Sequence, residues 1–168
     1  MMIERGKGRT VLVFRGFVVK LAMIHPLLAV KTVFRYASKG YLLECLKWDT
    51  YAIGSPRRLL LRGITENWRE FILYCQCRSP FLMPTYLSLF GLLNIQKAGC
   101  ILTDDDVDPW SQLFEITNGG ILDDRHTFEA TGNFCIENGK LRIVDYGSIR
   151  AHRVLRQYGN KIYYQLRV

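Results

Sequence analysis

Two residues with oxygen-bearing side chains frame a short strand-forming stretch. Asn133 precedes Phe134-Cys135-Ile136-Glu137. Asn138-Gly139 follows, and Lys140-Leu141-Arg142-Ile143 then leads into Asp145-Tyr146-Gly147. An Asn-Gly pair between two such runs predicts a tight hairpin, and a hairpin brings its ends together. Asn133 and Asp145 are therefore expected side by side. An amide carbonyl and a carboxylate are hard oxygen ligands, the type Mg²⁺ accepts.

A second candidate is Lys20, which ends the apolar run Phe17-Val18-Val19. Taken alone, a lysine there is a strand-edge residue with a solvated head. An acidic pair supplies possible partners. Thr65 reads as a helix N-cap, and Trp68, Phe71, Ile72 and Cys75 have helical spacing over Glu66 to Cys77. Either Glu70 or Glu66 can face inward from that helix. Further along, Asp123, Asp124, His126 and Glu129 gather titratable groups just before Asn133.

The elements that must position these residues follow from the pattern. Thr10 to Phe14 and Phe17 to Leu21 predict a hairpin around Arg15-Gly16. Pro26 to Trp48 has helical spacing, with Gly40 as a break into two helices. Tyr51 to Arg62 reads as a basic loop with a strand at Arg58 to Arg62. Phe81 to Tyr86 and Leu87 to Gln96 read as strands around a short turn. Asp104-Asp105-Asp106 reads as a turn or helix start, Pro109 to Thr117 as a helix, and Lys161 to Val168 as a final strand. This order, with antiparallel strands first, is an α+β reading. No Gly-x-Gly-x-x-Gly followed by a helix is present, which argues against a Rossmann site.

The chain has 168 residues, 49% hydrophobic and 23% charged, enough for one folded domain. Its formal charge of +8 suits an anionic ligand or an acidic partner. The cysteine count is odd, at five, and the residues are scattered, so buried free thiols in a reducing compartment are expected. Cys75-Gln76-Cys77 is too tight for a Cys-x-x-Cys metal or redox site. Arg15 and Lys20 interrupt the apolar stretch Thr10 to Ile24, so strands are expected there and no membrane span. The expected location is cytoplasmic.

Several of these motifs together resemble the protein-kinase family. Val18-Val19-Lys20 is similar to the Val-Ala-Ile-Lys strand, and Asn133 with Asp145-Tyr146-Gly147 to the metal-binding Asn and Asp-Phe-Gly. Gly63-Ile64-Thr65-Glu66-Asn67-Trp68-Arg69-Glu70 matches a Gly-Ile-x-x-Asn-x-x-Glu pattern. Gly132-Asn133-Phe134 and Asp145-Tyr146-Gly147 look like small bacterial and phage kinase-like proteins. The resemblance implies a minimal, degenerate kinase-like fold. Residues 1–98 would form an N-lobe with an antiparallel sheet and a helical insertion at about 22–57, and residues 99–168 a truncated C-lobe. It also implies ATP and Mg²⁺ as ligands. Lys20, Glu70 and the Ala98 backbone would bind the nucleotide, and Asn133 and Asp145 the metal.

The departures bear on activity. The catalytic Asp of a kinase lies five residues before the Asn, and that position is Phe128. Glu129, His126 and Asp124 are the available substitutes. Only 21 residues follow Gly147, too few for a protein-substrate lobe. The expected function is a nucleotide-binding pseudokinase acting through protein interaction. One alternative is an active minimal phosphotransferase with an altered loop. Another is a basic module for nucleic acid or an acidic protein, built on Arg57, Arg58, Arg62, Arg69, Arg150, Arg153, Arg156 and Lys161, with Tyr158, Tyr163 and Tyr164 as stacking groups.

Overall fold

The computed structural model describes residues 2–6, 8–43, 55–102 and 109–166. Asp104 to Asp106 and the last five residues, 44–48, of the predicted Pro26–Trp48 helical region fall outside them. The described residues form an α+β structure with two antiparallel sheets. Strands β1 (Met2–Arg5), β2 (Arg9–Val13), β3 (Phe17–Ala22), β4 (Thr85–Leu89) and β5 (Leu93–Lys97) make the larger sheet, in the order β1-β2-β3-β5-β4. Strands β6 (Cys100–Ile101), β7 (Phe134–Glu137) and β8 (Lys140–Ile143) make the smaller one.

Two helices accompany the larger sheet, α1 (Pro26–Ala37) and α2 (Pro56–Cys77). Helix α2 is longer than its sequence pattern predicts. It starts at Ser55, whose side chain accepts from the Arg58 amide at 3.2 Å, with Pro56 in the first turn. The predicted strand Arg58–Arg62 is therefore helical. Thr65 is not a cap: its hydroxyl donates back to the Arg62 carbonyl within the helix. Pro56, Gly63, Asn67, Glu70 and Leu73 are buried, a stripe whose steps are seven, four, three and three residues, all on one helix face.

Beside the smaller sheet lie α3 (Trp110–Thr117), the one-turn α4 (Arg125–Glu129) and α5 (Ile149–Gln165). The predicted C-terminal strand Lys161–Val168 is overturned as far as Gln165. Ser148 caps α5, and Ala151, Val154, Leu155, Gly159 and Ile162 bury one helical stripe. Tertiary burial outweighs the strand preference of the local Tyr-rich sequence. Phe81–Tyr86 is also mostly connection: β4 begins at Thr85, and the turn lies at Phe90-Gly91.

The main core joins the two halves. Leu73 of α2 packs with Phe81, Leu82, Phe128, Phe134, Ile143, Tyr146 and the inner face of α5. Among the described residues no helix is long and apolar enough to cross a membrane. Cys135 is buried and its thiol is pushed up to about 12, mainly by burial. Cys75 and Cys100, by contrast, are exposed, so burial does not hold for every thiol.

Candidate functional site

Strand β3 carries Lys20 on the face that α2 covers. The helix is held at that distance by the Gly63-Asn67-Glu70 stripe. A Cβ at Gly63 would meet the Gly8 carbonyl at 2.1 Å, so only glycine allows the β1–β2 turn to rest on α2. One turn on, the Asn67 amide donates to the Lys20 carbonyl at 3.2 Å and to the Gly91 carbonyl at 3.0 Å. The next turn brings Glu70 to Lys20. Lys20 Nζ donates to Glu70 Oε2 at 2.9 Å, and Glu70 is fully buried. The choice between Glu70 and Glu66 is thereby settled: Glu66 instead pairs with Arg62 at 2.8 Å.

The hairpin also forms as its sequence predicts. Asn138 (φ 52°) and Gly139 (φ 69°) make its turn. At its open end the Val144 amide donates to the Asn133 carbonyl at 2.8 Å, which sets Asn133 beside Asp145. The hairpin is fixed to the segment after α2 by the Met83 amide to the Ile143 carbonyl and the Ile143 amide to the Phe81 carbonyl, each at 2.9 Å. Lys20 Nζ donates to the Val144 carbonyl at 2.6 Å, so the lysine touches both Glu70 and the hairpin end.

Arg9, at the start of β2, completes the cluster. Its Nη1 donates to Glu70 Oε1 at 2.6 Å and its Nη2 to Asp145 Oδ1 at 2.7 Å. Its Nε lies 3.7 Å from Glu66 Oε2. Arg9 is only 8% exposed, whereas the Asp145 side chain keeps 45% of its surface open. Burial alone would raise the Asp145 carboxyl, but Arg9 and Lys20 beside it hold it well below the usual carboxylate range. The same contacts, acting against burial, keep the Arg9 guanidinium firmly charged. Three carboxylates (Glu66, Glu70, Asp145) thus meet three cations (Arg9, Lys20, Arg62).

Sequence reading missed Arg9. A signal was available, because Val11 pairs with Lys20 across the β2–β3 ladder. Arg9, two residues from Val11, therefore shares the Lys20 face.

A cleft of about 280 Å³ opens beside this cluster, between α2 and the segment before the hairpin. Arg9, Arg58, Arg62, Arg69, Asn133 and Asp145 line it, with His126, Asp124 and Ser148 on the far wall. It presents guanidinium groups, an imidazole and hydroxyls, groups that recognise phosphate oxygens, together with the carboxylates of Glu66, Asp124 and Asp145.

The remaining predicted site residues divide. Asp124 and His126 line the cleft, but Asp124 Oδ2 accepts from Thr127 Oγ1 at 2.9 Å and from the Ala151 amide at 3.1 Å. That carboxylate ties α4 to the first turn of α5. Glu129 is a correction: its carboxylate takes both an Arg125 Nε bond (2.9 Å) and an Nη2 bond (2.8 Å) on the exposed side of α4, and does not line the cleft. Phe128 is fully buried in the core. Ala98 is also a correction as a backbone donor. Its N–H extends the β3–β5 ladder and donates to the Gly16 carbonyl at 3.1 Å. Of the basic residues near the C-terminus, Arg153 pairs with Asp123 and Arg156 with Gln76.

Asn133 and Asp145 are adjacent but do not make a ready metal clamp. The Asn133 amide donates to the Thr127 carbonyl at 2.9 Å, leaving Oδ1 as its acceptor. Asp145 is already neutralised by Arg9, and a hard cation would have to displace that guanidinium. Among the described residues no group of three His, Cys, Asp or Glu side chains is arranged to hold a metal ion. As placed, these residues do not fit a resident Mg²⁺. No family model, curated protein or solved structure matches the chain.

Proposed function

We propose that this chain is a kinase-like phosphate-ligand-binding protein that lacks phosphotransfer activity, a pseudokinase that acts through contact with another protein. The observation that carries the reading is the cluster Lys20–Glu70–Arg9–Asp145. It joins β3, α2, β2 and the hairpin end through bonds of 2.6–2.9 Å. The sheet order β1-β2-β3-β5-β4 and the cleft with its arginine wall support it. The inactive part of the reading rests on Phe128. A buried phenyl ring in the place of a general base neither orients a hydroxyl nor takes its proton.

ATP is the proposed ligand, and the charge of +8 favours an acidic protein partner. The test is thermal denaturation with and without ATP, paired with a radiolabelled transfer assay. A rise in melting temperature that the double substitution Arg62→Ala and Arg69→Ala abolishes, with no label transferred, is the expected result. Absence of any rise in the wild type would sink the ligand-site reading.

A second reading is an active phosphotransferase with a remodelled loop. It is favoured by one observation, that His126 lines the same cleft as Asn133 and Asp145. Label transfer lost in His126→Ala would select it.

A further inference from the structure

We infer that Arg9 is the built-in cation of this cleft, so that a phosphate-bearing ligand is taken without a divalent metal. The inference rests on the phosphate-site reading above and concerns how that site balances charge.

A divalent ion serves such a site by neutralising carboxylates and bridging them to phosphate oxygens. Arg9 already does the first. It bonds Asp145 at 2.7 Å and Glu70 at 2.6 Å through separate nitrogens. Its position is fixed rather than adventitious. The residue is 8% exposed, it begins a paired strand, and its Nη1 also lies 3.4 Å from Asn67 Oδ1. Glu70 has both oxygens occupied, Oε1 by Arg9 and Oε2 by Lys20. No carboxylate at this junction is left without a cation, so little negative charge remains to draw Mg²⁺ out of water. Mg²⁺ dehydrates reluctantly and normally needs carboxylate or phosphate partners to hold it.

The second duty, meeting the phosphates, falls to the same wall. Arg9 itself lines the cleft, and Arg58, Arg62 and Arg69 extend the guanidinium surface along α2. Guanidinium matches phosphate oxygens in a planar, two-pronged geometry. Ligand phosphates would then meet guanidinium N–H donors directly, with no metal between them.

The test is calorimetric titration of the full chain with ATP and with inorganic tripolyphosphate, in excess EDTA and in saturating Mg²⁺. Wild type is expected to bind at least one of them equally well in both buffers. Arg9→Met is expected to bind at least about tenfold more weakly in EDTA, with Mg²⁺ restoring part of the loss. Arg9→Lys keeps one cation but cannot reach both carboxylates, so its metal-free affinity should fall between the two. It carries the comparison if Arg9→Met fails to fold. Wild-type binding that requires Mg²⁺ overturns the role of Arg9 and leaves the phosphate site standing, as does metal-free binding unchanged by both substitutions. No binding of either probe in either buffer overturns the phosphate site itself.

Discussion

Lys20 and Glu70 lie 50 residues apart in sequence and meet at 2.9 Å, with both side chains buried. Glu70 is shared, because Arg9 holds its other oxygen at 2.6 Å. The two ends of the Lys20–Glu70 pair are therefore unequal. Loss of Glu70 leaves Lys20 buried without a carboxylate, while Arg9 keeps Asp145. Loss of Lys20 leaves Glu70 still paired.

The first prediction follows from that asymmetry. Glu70→Gln should cost about 3–5 kcal/mol, the range for removing one side of a buried ion pair. Lys20→Met should cost clearly less. Urea denaturation measures both, provided the slope of free energy against urea stays constant between variants. The reverse ranking would mean that Arg9 does not compensate Glu70 in solution.

Gly63 provides a second prediction. Alanine favours an exposed helix interior over glycine by about 1 kcal/mol. Here its methyl group would lie 2.1 Å from the Gly8 carbonyl and 3.1 Å from Ala22 Cα and Met23 N. The Gly8 carbonyl also accepts from the Met23 amide at 2.8 Å, so it is not free to move away. Gly63→Ala should therefore lower stability, by roughly 1–3 kcal/mol as for an overpacked core. A higher melting temperature than wild type would refute the close approach of the β1–β2 turn to α2.

His152 on α5 sets a third, in pH. It is half-buried, and its Nε2 has no hydrogen-bond partner among the described residues. Burial first, then the nearby Arg156 and Arg69, push its imidazole down to about 4 from an ordinary 6.5. Between those values the unfolded chain binds a proton that the folded chain refuses. The neutral ring's contribution to stability is therefore present above pH 6.5 and lost as the pH falls toward 4. His152→Gln should flatten the stability profile over this window while leaving the acid limb from Asp145 at lower pH. A profile with the same slope in both proteins would remove His152 as its cause.

Much of the site was legible because its signals are local. Asn138-Gly139 specifies its turn by positive φ, and this alone brings Asn133 to Asp145. Lys20 at a strand end and the Gly63-Asn67-Glu70 spacing also carry their own geometry, since three- and four-residue steps share a helix face. What escaped depends on distant partners. The β2–β3 register puts Arg9 on the Lys20 face, but its partners Glu70 and Asp145 come from far along the chain. The Ala98 amide is spent on Gly16, a ladder contact that no local pattern announces. The C-terminal Tyr-rich stretch favours strand by composition, yet its buried stripe makes it helix α5. The first turns of α2 were obscured by consecutive Arg and Leu residues, although Ser55-Pro56 is a sound helix start.

The last prediction concerns Phe128, which on the proposed kinase-like reading stands in the place of the catalytic acid. Restoring that acid should not restore activity. Phe128 belongs to helix α4 and is fully buried, packed into the core with Phe134 and Tyr146. Phe128→Asp would remove a large apolar side chain, worth about 3–5 kcal/mol when truncated in a core, and would bury a carboxyl group in its place. The carboxyl would point into the core, not into the cleft that holds Asn133 and Asp145. The variant is expected to melt well below wild type and to transfer no label from ATP. Phe128→Leu, which keeps the core apolar, should retain the fold and the ligand-induced rise in melting temperature. If Phe128→Asp instead gained transfer at wild-type stability, α4 would have to unwind readily. The proposed lack of phosphotransfer would then rest on Phe128 itself, not on the way the segment before the hairpin is folded.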